Sequence, residues 1–215
     1  MIKLNKQPEP DLLVRMKKKW TEGYMHYVNL GQKVPDNVKN RYNVPEIKSV
    51  LRIETNGGKC MYCESPIAVV VSEHIEHYRP KAIYPQLTFE WSNLGLSCPK
   101  CNLKKHDGFD ENCAYINPYI DNPDDHFAFI SPVIFHKPND KRAQLTELKL
   151  DLNRPELLEA RYNQINVIRP LIDQYKAESN PSLKAILKKE IEKETAEDKP
   201  YSKFTKVVCE MLMNL

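Results

Sequence analysis

Two closely spaced pairs of cysteines constrain the fold of this chain more than any other feature. Cys60 and Cys63 form the first pair, Cys98 and Cys101 form the second, and each pair encloses two residues. Each such turn can present two sulfurs to one metal ion, so two turns complete a tetrahedral thiolate shell. We therefore predict a structural Zn²⁺ site of four cysteines. The pairs lie 34 residues apart, more than the roughly 15–20 residues of a simple zinc ribbon, so a further segment is inserted between them.

An alternative site would combine the first cysteine pair with His74 and His77. Only two residues separate these histidines, whereas zinc fingers usually have about three to five, and the second cysteine pair would be left without a partner. The spacing therefore favours four cysteines. The two remaining cysteines, Cys113 and Cys209, stand alone in the sequence, and we predict that they are small buried apolar residues.

Composition excludes a membrane protein and leaves the question of nucleic-acid binding open. The longest aliphatic run, residues 67–71, is far shorter than the ~20 apolar residues of a membrane span. We expect a cytoplasmic protein whose cysteines stay reduced.

The 215 residues include 32 basic and 29 acidic ones, a net charge of +3. The basic excess lies in residues 1–60, and it is compatible either with phosphate attraction or with a solvated helix face.

Periodicity and turn residues predict a mainly helical chain. Helices are expected over residues 10–28, 45–55 and 99–105, with a loop over 31–43 and a β-hairpin with a long connection over 65–90. Residues 110–143 have little periodicity and are expected to wrap the surface. From residue 145 the pattern is helical again, with helix starts at 153–156 and 180–181 and a kink or break at Pro170.

Several motifs around the cysteines resemble a known family. CMYCE, SEHIEHYRPK and EWSNLGLSCPKCNLKKHDG together resemble HNH endonucleases, in particular the HNH subunit of Septu-type anti-phage defence systems and related retron effectors. NPYIDNPDDHFAF and DLNRPELLEAR extend the resemblance over most of the chain. The resemblance implies an α+β fold: a mainly helical chain around an HNH ββα-metal core held together by zinc. We assign residues 1–55 to an N-terminal helical segment, 56–108 to the core and 109–215 to an irregular wrap followed by helices, within one compact domain.

The resemblance also implies catalytic roles for residues of the insert and of the short helix. Phosphodiester hydrolysis needs a group that removes a proton from water near neutral pH and a cation that meets the developing charge. His77 would be the general base, and Glu76 would bind a catalytic Mg²⁺ or Mn²⁺. Asn102 and His106 are four residues apart, share a helical face and would be further metal ligands. Asn93 would hold the loop through side-chain to backbone hydrogen bonds and so orient His77.

For other residues the predicted roles are less specific. The resemblance makes Arg79, Lys104 and Lys105 candidates for contacts to phosphate, which position a substrate without reading its sequence. His74 is expected to be structural. Adjacent strand residues point to opposite faces, so Glu76 and His77 reach one phosphate only if the strand is bulged or the backbone turns there.

The motifs favour a metal-dependent endonuclease that acts on DNA. Resemblance to the Septu family implies an ATPase partner of the ABC or SMC-like type. The alternative is a catalytically silent, zinc-stabilised binding or adaptor subunit of such a complex. A standalone restriction enzyme is less favoured, because the chain has no recognisable specificity domain.

Overall fold

The chain is mainly helical and contains two small antiparallel sheets. The structure, a computed structural model, describes residues 1–67 and 73–213. Its elements are α1 (Asp11–Asn29), α2 (Asp36–Lys39), α3 (Pro45–Glu54), β1 (His74–His77), β2 (Leu94–Ser97), α4 (Pro99–Lys105), α5 (Pro123–His126), β3 (Phe127–Ile130), β4 (Val133–His136), α6 (Lys141–Lys149), α7 (Pro155–Ala177), α8 (Pro181–Glu194) and α9 (Ser202–Met213). The predicted α+β class is confirmed. Within the described ranges, no helix is both long enough and apolar enough to cross a bilayer.

A ββα unit lies at the centre of the chain. Strands β1 and β2 pair antiparallel in a continuous register that runs from His74↔Ser97 to His77↔Leu94, and α4 begins two residues after β2. The connection between the strands contains two short 3₁₀ turns, at Pro85–Leu87 and Trp91–Asn93. The arrangement confirms the ββα core, with both cysteine pairs beside it.

The predicted hairpin was placed too early in the sequence. Its second strand is Leu94–Ser97, whereas the prediction ended the hairpin at residue 90, and residues 68–72 of the predicted first strand lie outside the described residues. All four residues of β2 are buried, so the strand lacks the alternation that marks a half-exposed strand. A Cβ on Gly95 would lie 2.5 Å from Sδ of Met61, so a larger residue here would require the Met61 side chain to shift.

Residues expected to be irregular contain regular structure. Helix α2 forms within the predicted loop 31–43, and residues 110–143 include the β3–β4 hairpin, in register from Phe127↔His136 to Ile130↔Val133. Each strand has only four residues and is flanked by residues rich in Asp, Asn and Pro. The alternation of apolar and polar residues that predicts a strand is therefore too short to recognise in the sequence. Helix α7 continues through Pro170; burial of Ile168 and Ile172 against the neighbouring helices offsets the backbone hydrogen bond that proline removes.

The main hydrophobic core draws on all three predicted segments. Leu13 of α1, Leu96 of β2 and Phe204 of α9 belong to one buried cluster. A second, smaller cluster lies between the C-terminal helices and contains Ile168, Ile172, Ile191 and Val208. The domain boundaries predicted from the sequence stay a prediction.

Phe89 attaches α1 to the connection between β1 and β2. Its side chain is fully buried, and its ring centroid lies 5.6 Å from that of Trp20 and 6.0 Å from that of Tyr24, both edge to face. We expect Phe89→Ala to lower the free energy of unfolding by about 3–5 kcal/mol, because it leaves a cavity in a packed core. Phe89→Leu should cost less, about 1.5 kcal/mol. Urea titration measures both, and equal losses for the two variants would contradict the packing described.

Candidate active site

The four cysteines of the two pairs converge on one point. Their Sγ atoms all lie within 4.8 Å of one another, all four residues are buried, and none is in a disulfide. Sγ of Cys63 lies 3.8 Å from Sγ of Cys98, which matches the edge of a tetrahedron whose metal–sulfur bonds are about 2.3 Å long. The donors therefore fit a tetrathiolate metal site. Cys113 and Cys209 lie outside this cluster and are only partly buried.

One arginine is directed at the cysteine cluster. The guanidinium of Arg154 lies 3.7 Å from Sγ of Cys63 and 3.8 Å from Sγ of Cys101, within reach of N–H···S contacts. Burial disfavours its charge, but the adjacent thiolates more than offset this and raise the pKa of Arg154. Sequence analysis missed this residue, because the DLNRPEL motif that contains it gave no sign of contact with the cysteines.

A cleft of about 640 Å³ opens beside β1 and α4. Of the predicted site residues, it brings together Glu76, His77, Asn102, Lys105 and His106. It is also lined by residues that sequence analysis had not assigned to the site, including Tyr42, Asn43, Lys48, Glu73, His74, Lys81 and Asp107. Asn93, Arg79 and Lys104 do not line it.

His77 is held in a form suited to accept a proton. The residue is 8% exposed, and its Nε2 lies 2.9 Å from the carbonyl oxygen of Thr88. Because a carbonyl oxygen can only accept, Nε2 carries the hydrogen and Nδ1 keeps its lone pair. Burial, reinforced by the positive charge of Lys81, lowers the pKa of His77 to about 3. The ring is therefore neutral at pH 7.

Asn93 braces the loop that carries Thr88. Its Oδ1 accepts a hydrogen bond of 2.7 Å from the backbone N–H of Arg79, and its Nδ2 donates to the carbonyls of Arg79 and Leu87. These bonds tie both ends of residues 79–87 together next to the carbonyl that His77 contacts. The side-chain to backbone bonds expected from the sequence are present, and the catalytic effect of this brace stays a prediction.

Glu76 forms a buried ion pair at the base of the cleft. Its side chain is 2% exposed, and its Oε1 lies 2.8 Å from Nζ of Lys105 and 3.3 Å from the hydroxyl of Tyr62. Burial raises the pKa of Glu76, although Lys105 opposes the shift. Both contacts involve Oε1, and within the described residues Oε2 makes no hydrogen bond. Glu76 and His77 both line the cleft, although the register of β1 with β2 is continuous and contains no bulge.

One of the two candidate metal ligands predicted on α4 lies outside the helix. Helix α4 ends at Lys105, and His106 has a φ of +46°, outside the helix. The argument that Asn102 and His106 share a helical face is therefore wrong, although both line the cleft. Nδ2 of Asn102 lies 3.0 Å from Nδ1 of His74. His74 thus contacts a candidate metal ligand, which the sequence gave no means to foresee.

The three basic residues expected to contact phosphate already have acidic partners. Arg79 pairs with Glu111 at 3.0 Å and Lys104 with Asp151 at 3.2 Å, and neither lines the cleft. Lys105 lines it but is 2% exposed and donates to the carbonyl of His77 as well as pairing with Glu76. The motifs that suggested these residues carry no information about their long-range partners.

Comparison with known proteins identifies the same region. Residues 60–108 match the HNH endonuclease family model. The chain is 31% identical to the Septu protein PtuB of Bacillus thuringiensis over 74% of this chain and 57% of that protein. It is 30% identical to the HNH endonuclease assigned to retron Vc95 of Vibrio cholerae serotype O1 biovar El Tor, over 65% of this chain and 76% of that protein. The chain thus spans little more than half of the Septu relative.

The buried neutral histidine predicts a specific loss of stability in acid. The pKa of His77 is about 3 in the folded chain, against a usual 6.5, so between these values the unfolded chain binds a proton that the folded chain excludes. The free energy of unfolding should therefore fall as pH falls from about 6.5, by about 2–3 kcal/mol at pH ~4.5. His77→Gln removes this contribution, so the free energy of unfolding of this variant should fall less steeply as pH falls.

Urea titrations across this pH range, without added divalent cations, provide the measurement. His26→Gln is the matched control, since His26 is exposed on α1 and should keep the wild-type slope. If His77→Gln loses stability as steeply as wild type, the histidine does not have the buried neutral state described.

Proposed function

Since the chain belongs to the HNH endonuclease family that includes Septu and retron proteins, we propose that it is a metal-dependent nuclease that hydrolyses DNA phosphodiester bonds. One observation carries the proposal: a neutral His77, with its Nδ1 lone pair free, lines the same cleft as Glu76 and Asn102. A base and two oxygen donors for a divalent cation are the groups that such a hydrolysis needs.

His77 removes the proton from the attacking water. Its Nε2–H bond to Thr88 fixes both the tautomer and the direction of the ring, and Asn93 fixes the loop that supplies this carbonyl. A low pKa keeps the base unprotonated, and the negative charge of a bound phosphodiester stabilises the imidazolium that forms. The negative charge of the substrate therefore lowers the free-energy cost of transferring the proton to His77.

Glu76 and Asn102 would hold the catalytic ion, Mg²⁺ or Mn²⁺. Oε2 of Glu76 is the oxygen without a protein partner in the described chain, and carboxylate and amide oxygens suit these hard cations. When bound, the ion supplies positive charge to the phosphate and the leaving oxygen. His106 would be a third ligand from the cleft margin, reached from outside the helix.

The four-cysteine cluster would hold a structural Zn²⁺, and a cytoplasmic location would keep its thiols available. The distances between the sulfurs and the burial of all four cysteines support zinc over a disulfide pair. The ion would join the turn at residues 60–63 to the start of α4 and so fix Asn102 relative to β1.

The helices beyond residue 108 would dock an ATPase partner of the ABC or SMC-like type. They lie outside the segment that matches the HNH model, and α8 exposes the apolar side chains of Leu183 and Ile186. Co-purification of the chain with the products of neighbouring genes tests this proposal. The alternative is a catalytically silent, zinc-stabilised binding or adaptor subunit of such a complex.

Removal of the general base should abolish cleavage. We expect His77→Ala to lower the rate of plasmid nicking in Mg²⁺ or Mn²⁺ by about 10²–10⁴-fold, the usual contribution of a positioned acid or base. The matched control is His26→Ala, which should nick at the wild-type rate. The assay is run with and without the co-purifying partner. Equal, background-level nicking by wild type and His77→Ala under every condition would favour the adaptor.

Zinc and folding should be lost together when a cluster cysteine is replaced. Cys101→Ser should lose bound zinc and soluble expression, because structural zinc contributes on the order of 10 kcal/mol to folding. Cys113→Ser, outside the cluster, should keep one zinc per chain. Metal content by mass spectrometry and thermal melting are the measurements. A folded Cys101→Ser variant with full zinc would contradict the assignment.

A further inference from the structure

The cationic side chains at and around the cleft differ in one respect: whether a carboxylate already neutralises them. Arg79, Lys104 and Lys105 each pair with a carboxylate at 3.2 Å or less. Lys48 lies 3.8 Å from Glu73. Lys81 has no carboxylate within 4.0 Å of its Nζ in the parts of the chain that the structure describes.

Lys81 is nevertheless not a freely solvated side chain. It lines the cleft, is only partly exposed, and burial lowers its pKa. Its Nζ donates a hydrogen bond of 2.8 Å to the hydroxyl of Tyr42, which leaves two N–H groups without a partner among the described residues. Asp107, which also lines the cleft, favours the charged form of Lys81 but forms no salt bridge with it. A partly buried ammonium that no carboxylate contacts favours an anionic ligand.

Tyr42 places this ammonium beside the candidate base. The Tyr42 ring lies edge to face with the His77 ring, with centroids 4.6 Å apart, and Nζ of Lys81 lies 5.1 Å from the Tyr42 centroid. Tyr42 is 7% exposed, so both contacts are fixed by packing. Lys81 and His77 therefore line the same cleft and contact the same aromatic ring.

We propose that Lys81, held by Tyr42, binds a non-bridging oxygen of the substrate phosphate in the cleft. The inference rests on the proposed nuclease function and deepens it, because it identifies the phosphate-binding cation that the sequence had assigned to other residues. Tyr42 lies before the segment that matches the HNH model, so the N-terminal segment forms part of the active site.

The salt dependence of DNA binding tests a phosphate contact directly. Binding of duplex DNA is measured by fluorescence anisotropy over a range of salt concentrations, with Ca²⁺ in place of Mg²⁺ to prevent cleavage. Each neutralised phosphate contributes about 0.9 to the slope of log K against log salt concentration. Lys81→Met should lower this slope by about 0.9 and reduce nicking in Mg²⁺ at least tenfold. Lys81→Arg should keep the slope.

Two further variants separate a phosphate contact from a structural effect. Lys137→Met removes the same charge from an exposed turn after β4, outside the cleft and outside the helices assigned to the partner, and should change neither slope nor rate. Tyr42→Phe keeps the ring beside His77 but removes the hydroxyl that anchors Lys81, so it should weaken DNA binding without lowering the slope as far as Lys81→Met does. Circular dichroism and thermal melting confirm that each variant is folded.

The outcomes distinguish this inference from the function on which it rests. If wild type nicks DNA and folded Lys81→Met keeps the wild-type slope, the inference is overturned and the nuclease function stands. If Lys137→Met lowers the slope as much as Lys81→Met, the effect is one of total charge and the inference is likewise overturned. If wild type neither binds nor nicks DNA, both proposals fail.

Discussion

The convergence of four buried cysteine sulfurs is the interaction on which the candidate site depends. Four thiolates around one divalent ion carry a net charge of −2, which is costly to bury without compensation. The Arg154 guanidinium, 7% exposed, supplies positive charge at 3.7–3.9 Å from three of the sulfurs. Arg154 immediately precedes α7, so the same contacts connect the C-terminal helices to the cysteine cluster.

The cluster positions the cleft through the elements that carry its cysteines. Sγ of Cys98 accepts a hydrogen bond from the N–H of Cys101 at the start of α4, and the N–H of Met61 donates to the carbonyl of Leu96 in β2. Lys105, near the end of α4, then reaches back to the carbonyl of His77. The backbone of His77 is thus fixed from the cluster side, whereas its ring is fixed by Thr88 from the opposite side. Displacement of α4 would therefore move both the ligands and the base.

Features set by local spacing could be predicted from the sequence, and features set by long-range pairing could not. The cysteine cluster and the bounds of α4 follow from short motifs whose geometry is nearly fixed by the intervening residues. The chain reversal at His106 depends on a single positive φ, which a histidine rarely adopts. The partners of Arg79 and Lys104 are 32 and 47 residues away, and Tyr42 reaches the site from a separate segment. Such long-range contacts produce no periodic pattern in the sequence from which they could be predicted.

The distribution of charge in the cleft connects the candidate base with the substrate. Glu76 is paired with Lys105, whereas Lys81 has no carboxylate within salt-bridge distance among the described residues. The positive charge of Lys81 contributes to the low pKa of His77. A phosphodiester anion bound by Lys81 would cancel this positive charge and place a negative one beside the ring. Both changes raise the pKa of His77, so the imidazole would become a stronger base only when the bond to be hydrolysed is present. The buried carbonyl of Thr88 would stabilise the imidazolium further, because the hydrogen bond from Nε2 strengthens as the ring gains charge.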